Sequence, residues 1–143
     1  MNVAFFLKPK SEVTHLHSGD SLPEALETLR GSGYRIVPVI DEDGRYVSTV
    51  GEGDFLWSLI RLENGALKPL DGGSAGRMCV RDVLGKDKNP PCHIGEPIES
   101  LIGRTAGQNF IPIVDDREIF IGIVTRRAVI EYFLKNEAER AGK

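Results

Sequence analysis

Apolar residues in the first third of the chain recur at the spacing of a helix, at Leu22, Ala25, Leu26 and Leu29. This period predicts an amphipathic helix. The segment 21–24, Ser-Leu-Pro-Glu, resembles a capping box with proline in the first turn, so the helix should begin there. Gly31 and Gly33 should end the helix, because glycine readily takes the left-handed conformation found just beyond a helix.

Two strands and a second helix are predicted to follow. Residues 36–40 form an apolar run typical of a buried strand. Pro38 lacks the N–H that a strand ladder needs, so this strand should be an edge strand or irregular at that point. The segment 41–44 predicts a turn, and 46–50 predicts a second strand. The second helix should carry four apolar residues, namely Phe55, Leu56, Leu59 and Ile60.

The chain contains the same pattern twice. Residues 33–41 align with 107–115 without a gap, and 17–22 align with 93–98 after a small slip. Farther upstream, Val3, Phe6 and Leu7 align with Val80, Val83 and Leu84. The second copy predicts helix 98–105, strand 110–114, turn 115–116, strand 119–124 and helix 126–136. A short extended piece, 13–16 or 91–94, should precede each copy.

The duplication predicts an α+β protein built from two similar units. The first repeat should span 1–62 and the second 78–136, each with a short β-sheet and two flanking helices. A linker over 63–77 contains an Asn-Gly turn at 64–65 and a glycine cluster. The polar segment 137–143 should be a flexible tail.

Composition disfavours membrane and nucleic-acid proteins. None of the apolar runs in the 143 residues approaches the roughly 20 residues that span a bilayer, and no signal sequence is evident. We therefore expect a cytoplasmic protein. The 18 basic and 21 acidic residues give a net charge of −3, whereas proteins that bind nucleic acid through phosphates usually carry a basic excess.

The sequence shows no motif of an enzyme or of a metal site. It has no nucleophile elbow, metal triad or Walker loop, and its paired aspartates fall in the predicted turns 41–44 and 115–116. Cys79 and Cys92 match no zinc spacing, so we expect small buried thiols. We expect the three histidines to be structural. The glycine cluster 71–76 lacks the Lys-Ser/Thr pair of a phosphate loop.

Together these features resemble a tandem pair of cystathionine-beta-synthase (CBS) domains, known as a Bateman module. The resemblance covers about residues 1–136 and rests on 80–84, the first helix, 33–41 and 122–125. More narrowly, the segments 13–16, 33–34 and 120–127 resemble the small stand-alone cyclic di-AMP-binding CBS-pair proteins of Gram-positive bacteria. This resemblance implies two repeats packed about a pseudo-twofold axis, two clefts for adenine nucleotides, and a homodimer.

The resemblance also implies which residues contact the nucleotide, which is a regulatory ligand with no further cofactor. Those implied for the first cleft are Val13, Thr14, His15, Tyr34, Arg35, Val37, Pro38, Thr125, Arg126 and Arg127. Those implied for a second, weaker cleft are Asp54, Cys92, Asn109, Ile111 and Pro112. Tyr34 either stacks on a base or is an exposed loop aromatic.

The residues themselves favour phosphate at the start of the last helix. Thr125 should either cap this helix or face a ligand. Arg126 and Arg127 follow it at a helix N-terminus, where unpaired amides and the helix dipole favour an anion. In the family's Thr/Ser-x-x-Asp pattern, an Asp lies three positions after the Thr or Ser. Here the pattern is split between the repeats, because Thr125 is followed three positions later by Ala128, and Asp54 is preceded three positions earlier by Gly51. This split favours a ligand recognised mainly through phosphates and stacked bases.

Two functions remain open from the sequence. The first is a nucleotide sensor that signals through a partner protein. The second is a constitutive protein-interaction module whose clefts no longer bind nucleotide. Trp57, on the second helix, should lie either at a dimer face or in the core.

Overall fold

The computed structural model of the protein describes residues 1–69, 71–85 and 89–142. Leu70 of the predicted linker and Lys143 of the predicted tail lie outside the described residues. The chain forms two compact units. Met1–Val13 with Asn89–Lys143 make up one, here called the terminal unit, and Thr14–Lys88 make up the other, here called the middle unit. Helices and strands occur in both, so the predicted α+β class is confirmed.

The strands are β1 (Lys8–Pro9), β2 (Leu16–His17), β3 (Ile36–Ile40), β4 (Tyr46–Gly51), β5 (Ile60–Glu63), β6 (Ala66–Pro69), β7 (Cys92–His93), β8 (Phe110–Val114) and β9 (Phe120–Thr125). The α-helices are α1 (Leu22–Ser32), α2 (Glu52–Leu59), α3 (Gly72–Gly76), α4 (Ile102–Thr105) and α5 (Arg126–Ala141). Short 3-10 helices lie at Val3–Phe6, Lys10–Glu12, Val80–Asp82 and Ile98–Leu101. Among these described residues, no helix combines the length and the apolar content needed to cross a membrane.

The middle unit contains a three-stranded sheet in the order β2-β3-β4. Helix α1 begins where the capping pattern predicts, because Ser21 Oγ accepts a hydrogen bond from the Glu24 N–H at 3.3 Å. It ends at Gly33, whose φ of 76° is the left-handed value predicted for this glycine. The buried side chains of this unit are Leu16, Leu22, Ala25, Leu29, Val37, Val39, Val50, Phe55, Val80 and Val83.

Strand β3 is the central strand of its sheet, so the prediction that it lies at an edge is wrong. The proline is tolerated because β2 pairs with β3 only from Val39 onward, while Pro38 faces Thr49 on the other side. The alternative prediction, a local irregularity in this strand, agrees with the structure, since the register between β3 and β4 shifts between Val39 and Ile40. Proline therefore stands where only one neighbouring strand is paired.

Some element boundaries also differ from the sequence predictions. Ile60 begins strand β5 instead of continuing α2, and β5 pairs with β6 as a hairpin that extends from the predicted first repeat into the predicted linker. Its turn has positive φ at Asn64 (50°) and Gly65 (79°), as a two-residue hairpin turn requires. Helix α5 continues through Ala141, beyond its predicted end at Asn136.

The terminal unit contains a four-stranded sheet in the order β1-β9-β8-β7. Strands β8 and β9 are antiparallel with the same kind of register shift, here between Ile113 and Val114. The buried side chains of this unit include Val3, Cys92, Ile98, Leu101, Ile111, Ile113, Val124 and Val129. The duplicated sequence therefore forms two sheets with matching hairpins, β3-β4 and β8-β9.

The leading segments of the two repeats are exchanged between the units. Val3 donates its N–H to the Glu96 carbonyl at 3.0 Å, in the unit that holds the second repeat. Val80 makes the matching bond to the Asp20 carbonyl, also at 3.0 Å, in the unit that holds the first repeat. Both valines are fully buried. Each core is therefore completed by a segment that the repeat alignment assigns to the other copy.

Candidate functional site

The junction between β9 and α5 brings three of the predicted ligand residues together in the terminal unit. Strand β9 ends at Thr125, which pairs with Phe110 at the start of β8. The Arg126 N–H donates to the Asn109 carbonyl at 2.8 Å, and the Asn109 residue itself is exposed. Thr125, Arg126 and Asn109 therefore surround the first turn of a 16-residue helix.

Thr125 caps this helix. Its Oγ1 accepts a hydrogen bond from the Ala128 N–H at 3.1 Å, which satisfies one of the amides left open at a helix start. The first of the two roles predicted for Thr125 is thus observed. Because the hydroxyl acts here as an acceptor, its own proton can still donate to a ligand oxygen.

The two adjacent arginines have different surroundings. Arg126 is half-buried, and its Nε donates to the Thr105 carbonyl at 2.6 Å and to the Gln108 carbonyl at 3.2 Å. Arg127 is 87% exposed and pairs with Glu131 one helical turn away, at 3.0 Å. The Arg126 guanidinium is therefore fixed in place by the backbone, whereas Arg127 lies on the solvent face of the helix.

The same junction in the middle unit carries negative charge. Strand β4 ends at Gly51, and the Glu52 N–H donates to the Arg35 carbonyl at 3.3 Å. The Asp54 carboxylate accepts the Gly51 N–H at 2.8 Å. A Cβ at Gly85 would lie 3.0 Å from Asp54 Oδ1, so the backbone of residue 85 lies close beside this carboxylate.

The family's Thr-x-x-Asp pattern is, in geometric terms, a helix capping box, and each repeat keeps one half of it. Thr125 supplies the hydroxyl that caps α5, with Ala128 in place of the acid. Asp54 supplies the carboxylate that caps the start of α2, with Gly51 in place of the hydroxyl. Both residues thus have a structural role that needs no ligand.

The structure distributes the predicted ligand residues over both units. The middle unit holds Thr14, His15, Tyr34, Arg35, Val37, Pro38 and Asp54. The terminal unit holds Val13, Cys92, Asn109, Ile111, Pro112, Thr125, Arg126 and Arg127. Tyr34 is 51% exposed. Val37 and Ile111 are buried in their cores, so only their backbone groups remain for a ligand.

The two cysteines differ in burial. Cys92 is buried as predicted, and burial together with the neighbouring Glu96 carboxylate raises the pKa of its thiol to about 12. Its thiol is therefore protonated at neutral pH and a poor nucleophile. Cys79 is only partly buried, which corrects the prediction of two buried thiols, because the segment leading into the Val80–Asp82 turn lies at the surface.

The histidines make local structural contacts. His93 accepts the Gly95 N–H on Nδ1 at 3.0 Å and contacts the Asp116 carboxylate through Nε2. His17 lies 3.8 Å from the Asp20 carboxylate, close to the ring of His15. Within the part of the chain that the structure describes, no three His, Cys, Asp or Glu side chains group as a metal site would require.

Sequence reasoning missed Arg104 and Gln108, which adjoin the candidate site. Arg104 on α4 donates from Nε to Gln108 Oε1 at 3.3 Å, and the Gln108 carbonyl in turn holds Arg126. The repeat alignment does not assign Arg104 an equivalent in the first copy, because its offset changes between residues 98 and 107. The contact of Gln108 with Arg126 depends on how α4 ends, which the apolar pattern does not specify.

Replacing Thr125 with valine should lower the free energy of unfolding by about 1 kcal/mol, because the Ala128 N–H loses its cap while side-chain shape is kept. Urea titration followed by circular dichroism measures this change. Thr125→Ser keeps the hydroxyl and should stay close to the wild type. Equal stability of the valine and serine variants would contradict the cap.

Comparisons with known proteins agree on the type of domain. The family model described as CBS domain matches the chain twice, over residues 6–61 and 80–135. Cyclic di-AMP receptor B of Bacillus subtilis (strain 168) is 28% identical over 134 residues, covering 94% of this chain and 87% of that protein.

Solved structures of similar fold cover almost the whole chain. A hypothetical conserved protein from Geobacillus kaustophilus has a TM-score of 0.79 and 25% identity, covering 95% of this chain and 98% of its own. The CbpB protein of Listeria monocytogenes, solved in complex with c-di-AMP, has a TM-score of 0.78 and 23% identity. That match covers 95% of this chain and 97% of the Listeria chain.

Proposed function

Because the chain belongs to the CBS domain family, we propose that it is a regulatory protein that binds an adenine nucleotide, with cyclic di-AMP as the ligand. The choice of nucleotide is supported by its similarity to the Bacillus subtilis cyclic di-AMP receptor B over most of both chains. The observation that carries the proposal is the Thr125–Arg126 junction. There a fixed guanidinium and a helix start present hydrogen-bond donors at one place.

We propose that this junction binds the phosphate of the nucleotide. Nε of Arg126 is engaged by the Thr105 and Gln108 carbonyls, which leaves its terminal nitrogens to donate to phosphate oxygens. The Thr125 hydroxyl proton and the amides of the first turn of α5 add further donors.

The split capping box supports a phosphate-based ligand over an ordinary nucleoside monophosphate. Asp54 is the carboxylate suited to a ribose, yet it lies at a junction that has no partner hydroxyl and carries Glu52 beside it. The junction with Arg126 lacks the ribose carboxylate, because Ala128 occupies that position. A cyclic dinucleotide without a terminal phosphate monoester fits such a site through its phosphodiester oxygens.

Isothermal titration calorimetry with cyclic di-AMP, AMP and ATP tests the proposed function. We expect cyclic di-AMP to bind and to raise the melting temperature, since a ligand that binds only the native state stabilises it. AMP and ATP should bind more weakly. Lack of binding by all three nucleotides would reject the proposal.

The rival function, a constitutive interaction module, is supported by one observation. Thr125 and Asp54 each cap a helix, so both residues have a reason to be present without nucleotide. Under this alternative, a folded wild-type protein binds no adenine nucleotide.

In the sensor proposal, the signal passes to a partner protein. The affinity of that partner for this protein differs between the nucleotide-free and the nucleotide-bound state.

We further propose that the protein forms a homodimer through exposed apolar helix residues. Leu56 and Trp57 on α2 are 57% and 68% exposed, so the alternative that Trp57 lies in the core is wrong. Ile130 and Leu134 on α5 are also exposed, one helical turn apart. Large apolar side chains in these positions are suited to a protein interface.

Trp57→Ala should weaken the dimer about tenfold or more, because an interface tryptophan commonly contributes over 1 kcal/mol. Analytical ultracentrifugation over a concentration series measures the dissociation constant. Glu27→Ala on the exposed face of α1 is the control and should leave it unchanged. A monomeric wild-type protein, or equal dissociation constants for the three proteins, would count against this interface.

A further inference from the structure

Two arginines of the terminal unit converge on one glutamine. Arg104 donates from Nε to the Gln108 side-chain Oε1 at 3.3 Å. Arg126 donates from Nε to the Gln108 main-chain carbonyl at 3.2 Å. Both arginines are half-buried. Two positive charges are therefore held beside the same residue, between the end of α4 and the start of β8.

The orientation of the Gln108 amide is determined by its neighbour. A guanidinium can only donate, so the Gln108 oxygen must face Arg104 and the amide nitrogen must point away from it. That nitrogen is buried and has no hydrogen-bond partner among the described residues. A buried donor without an acceptor costs about 1–3 kcal/mol, so this side chain is poorly satisfied in the free protein.

The two guanidiniums also have no carboxylate in ion-pair contact among the described residues. Neither Arg104 nor Arg126 forms an ion pair with a carboxylate in the described ranges, whereas Arg127 pairs with Glu131 and Arg140 with Glu137. Glu96 contacts the Cys92 thiol and pairs with neither guanidinium. The acceptors that reach the two arginines are the Gln108 amide oxygen and main-chain carbonyls, including that of Pro90 for Arg104.

A purely structural role accounts for part of this arrangement. Cationic side chains often bond the last carbonyls of a helix, as Arg126 does with Thr105 at the end of α4. That role explains the position of Arg126 Nε. It leaves unexplained the second guanidinium without a carboxylate and the buried Gln108 donor. All three groups lack the same thing, an acceptor with negative charge.

We propose that Arg104, Gln108 and Arg126 form a binding site for a phosphate oxyanion, toward which the Gln108 amide turns to donate. Paired guanidiniums and an amide are well suited to the oxygens of a phosphate group. As the phosphate subsite of a nucleotide, this site rests on the proposed function. As a site for inorganic phosphate, it stands independently.

The sharpest test is the isosteric change Gln108→Glu, which places a carboxylate beside the Arg104 guanidinium. In phosphate-free buffer this variant should melt at a higher temperature than the wild type, because the new charge replaces the missing anion. Inorganic phosphate should raise the melting temperature of the wild type and leave that of the variant unchanged. Asn136→Asp, ten residues along α5 from Arg126, is the control for added charge.

A matched pair of arginine variants provides the second test. Arg104→Ala should weaken binding of inorganic phosphate about tenfold, measured by calorimetry. Arg30→Ala removes an exposed arginine near the end of helix α1 in the first repeat and should bind phosphate like the wild type. Equal phosphate affinity in the Arg104→Ala variant, the Gln108→Glu variant and the wild type would overturn the proposed site.

Titration of cyclic di-AMP into the same proteins separates this inference from the proposed function. If the wild type binds phosphate but no nucleotide, the proposed function fails and the anion site stands. If cyclic di-AMP binds the wild type, Arg104→Ala and Gln108→Glu equally, the subsite fails and the proposed function stands. If the wild type binds neither phosphate nor cyclic di-AMP, both are wrong.

Discussion

Replacing Arg126 with alanine should weaken the binding of cyclic di-AMP by about 10- to 100-fold. Hydrogen bonds to charged groups are worth about 1.5–3 kcal/mol each, and every 1.4 kcal/mol corresponds to a tenfold change in affinity. Arg126 Nε is held by the Thr105 and Gln108 carbonyls, so its guanidinium is already ordered before the ligand arrives. Calorimetry on the folded variant measures the loss.

Three further variants make this result specific. Arg126→Lys keeps the charge but loses the planar fork of donors, so it should recover only part of the affinity. Arg127→Ala should lose less than Arg126→Ala, because Arg127 is exposed and already paired with Glu131. Arg140→Ala in the last turn of α5 controls for net charge and should bind normally. Wild-type affinity in Arg126→Ala would remove this residue from the site.

Gly122→Ala should destabilise the protein by about 1–3 kcal/mol, the usual cost of forcing extra atoms into a packed interior. Gly122 lies in β9 opposite Pro9 of β1. A Cβ there would overlap the Lys8 carbonyl oxygen and come within 2.8 Å of Leu7 Cδ1. Urea unfolding followed by circular dichroism measures the change, and β1 is the strand expected to separate from the sheet.

The control is a glycine with free space around it. Nothing lies within 4 Å of a Cβ at Gly31, which is inside helix α1. Gly31→Ala should therefore stabilise the protein by about 0.5–1 kcal/mol, since alanine favours a helix over glycine. Opposite signs for the two glycine variants support the close approach of β1. A neutral Gly122→Ala would show that β1 can move away without cost.

The sequence predicted elements best where local chemistry decides them. The start of α1 follows from Ser21, and its end follows from Gly33, because caps act through hydrogen bonds within a single turn. The turn at 41–44 is likewise local, since Asp41 Oδ1 accepts the N–H groups of Asp43 and Arg45. Such signals need no information about distant parts of the chain.

Prediction was less complete where two distant segments meet. Pro38 suggested an edge strand, yet β3 is central because β2 pairs only with the residues beyond the proline. Gly122 could not be explained from the alignment, which places Ser48 at the same position of the first repeat. The passage of Lys8 across β9, together with a φ of 156° at Gly122, makes a side chain at 122 unacceptable.

The candidate site shows the same division. The sequence placed Thr125 and Arg126 at a strand-to-helix junction, because apolar period and motif agree there. It could not distinguish Arg126 from Arg127, since adjacent residues share the same local signals. Carbonyls of Thr105 and Gln108, which lie 21 and 18 positions upstream, hold Arg126 but not Arg127. The same long-range contact brings Gln108 beside Arg126, and the Gln108 side chain in turn contacts Arg104.

The sequence alone determined that this protein is a duplicated α+β unit, because the two copies repeat the same spacing of apolar residues, caps and turns. It did not determine which leading segment completes which core. Val3 and Val80 are the same residue at equivalent positions, so either would fill either core equally well by its local chemistry. The exchange of the two segments was decided only by tertiary packing, where chain connectivity and the bonds to Glu96 and Asp20 select one arrangement.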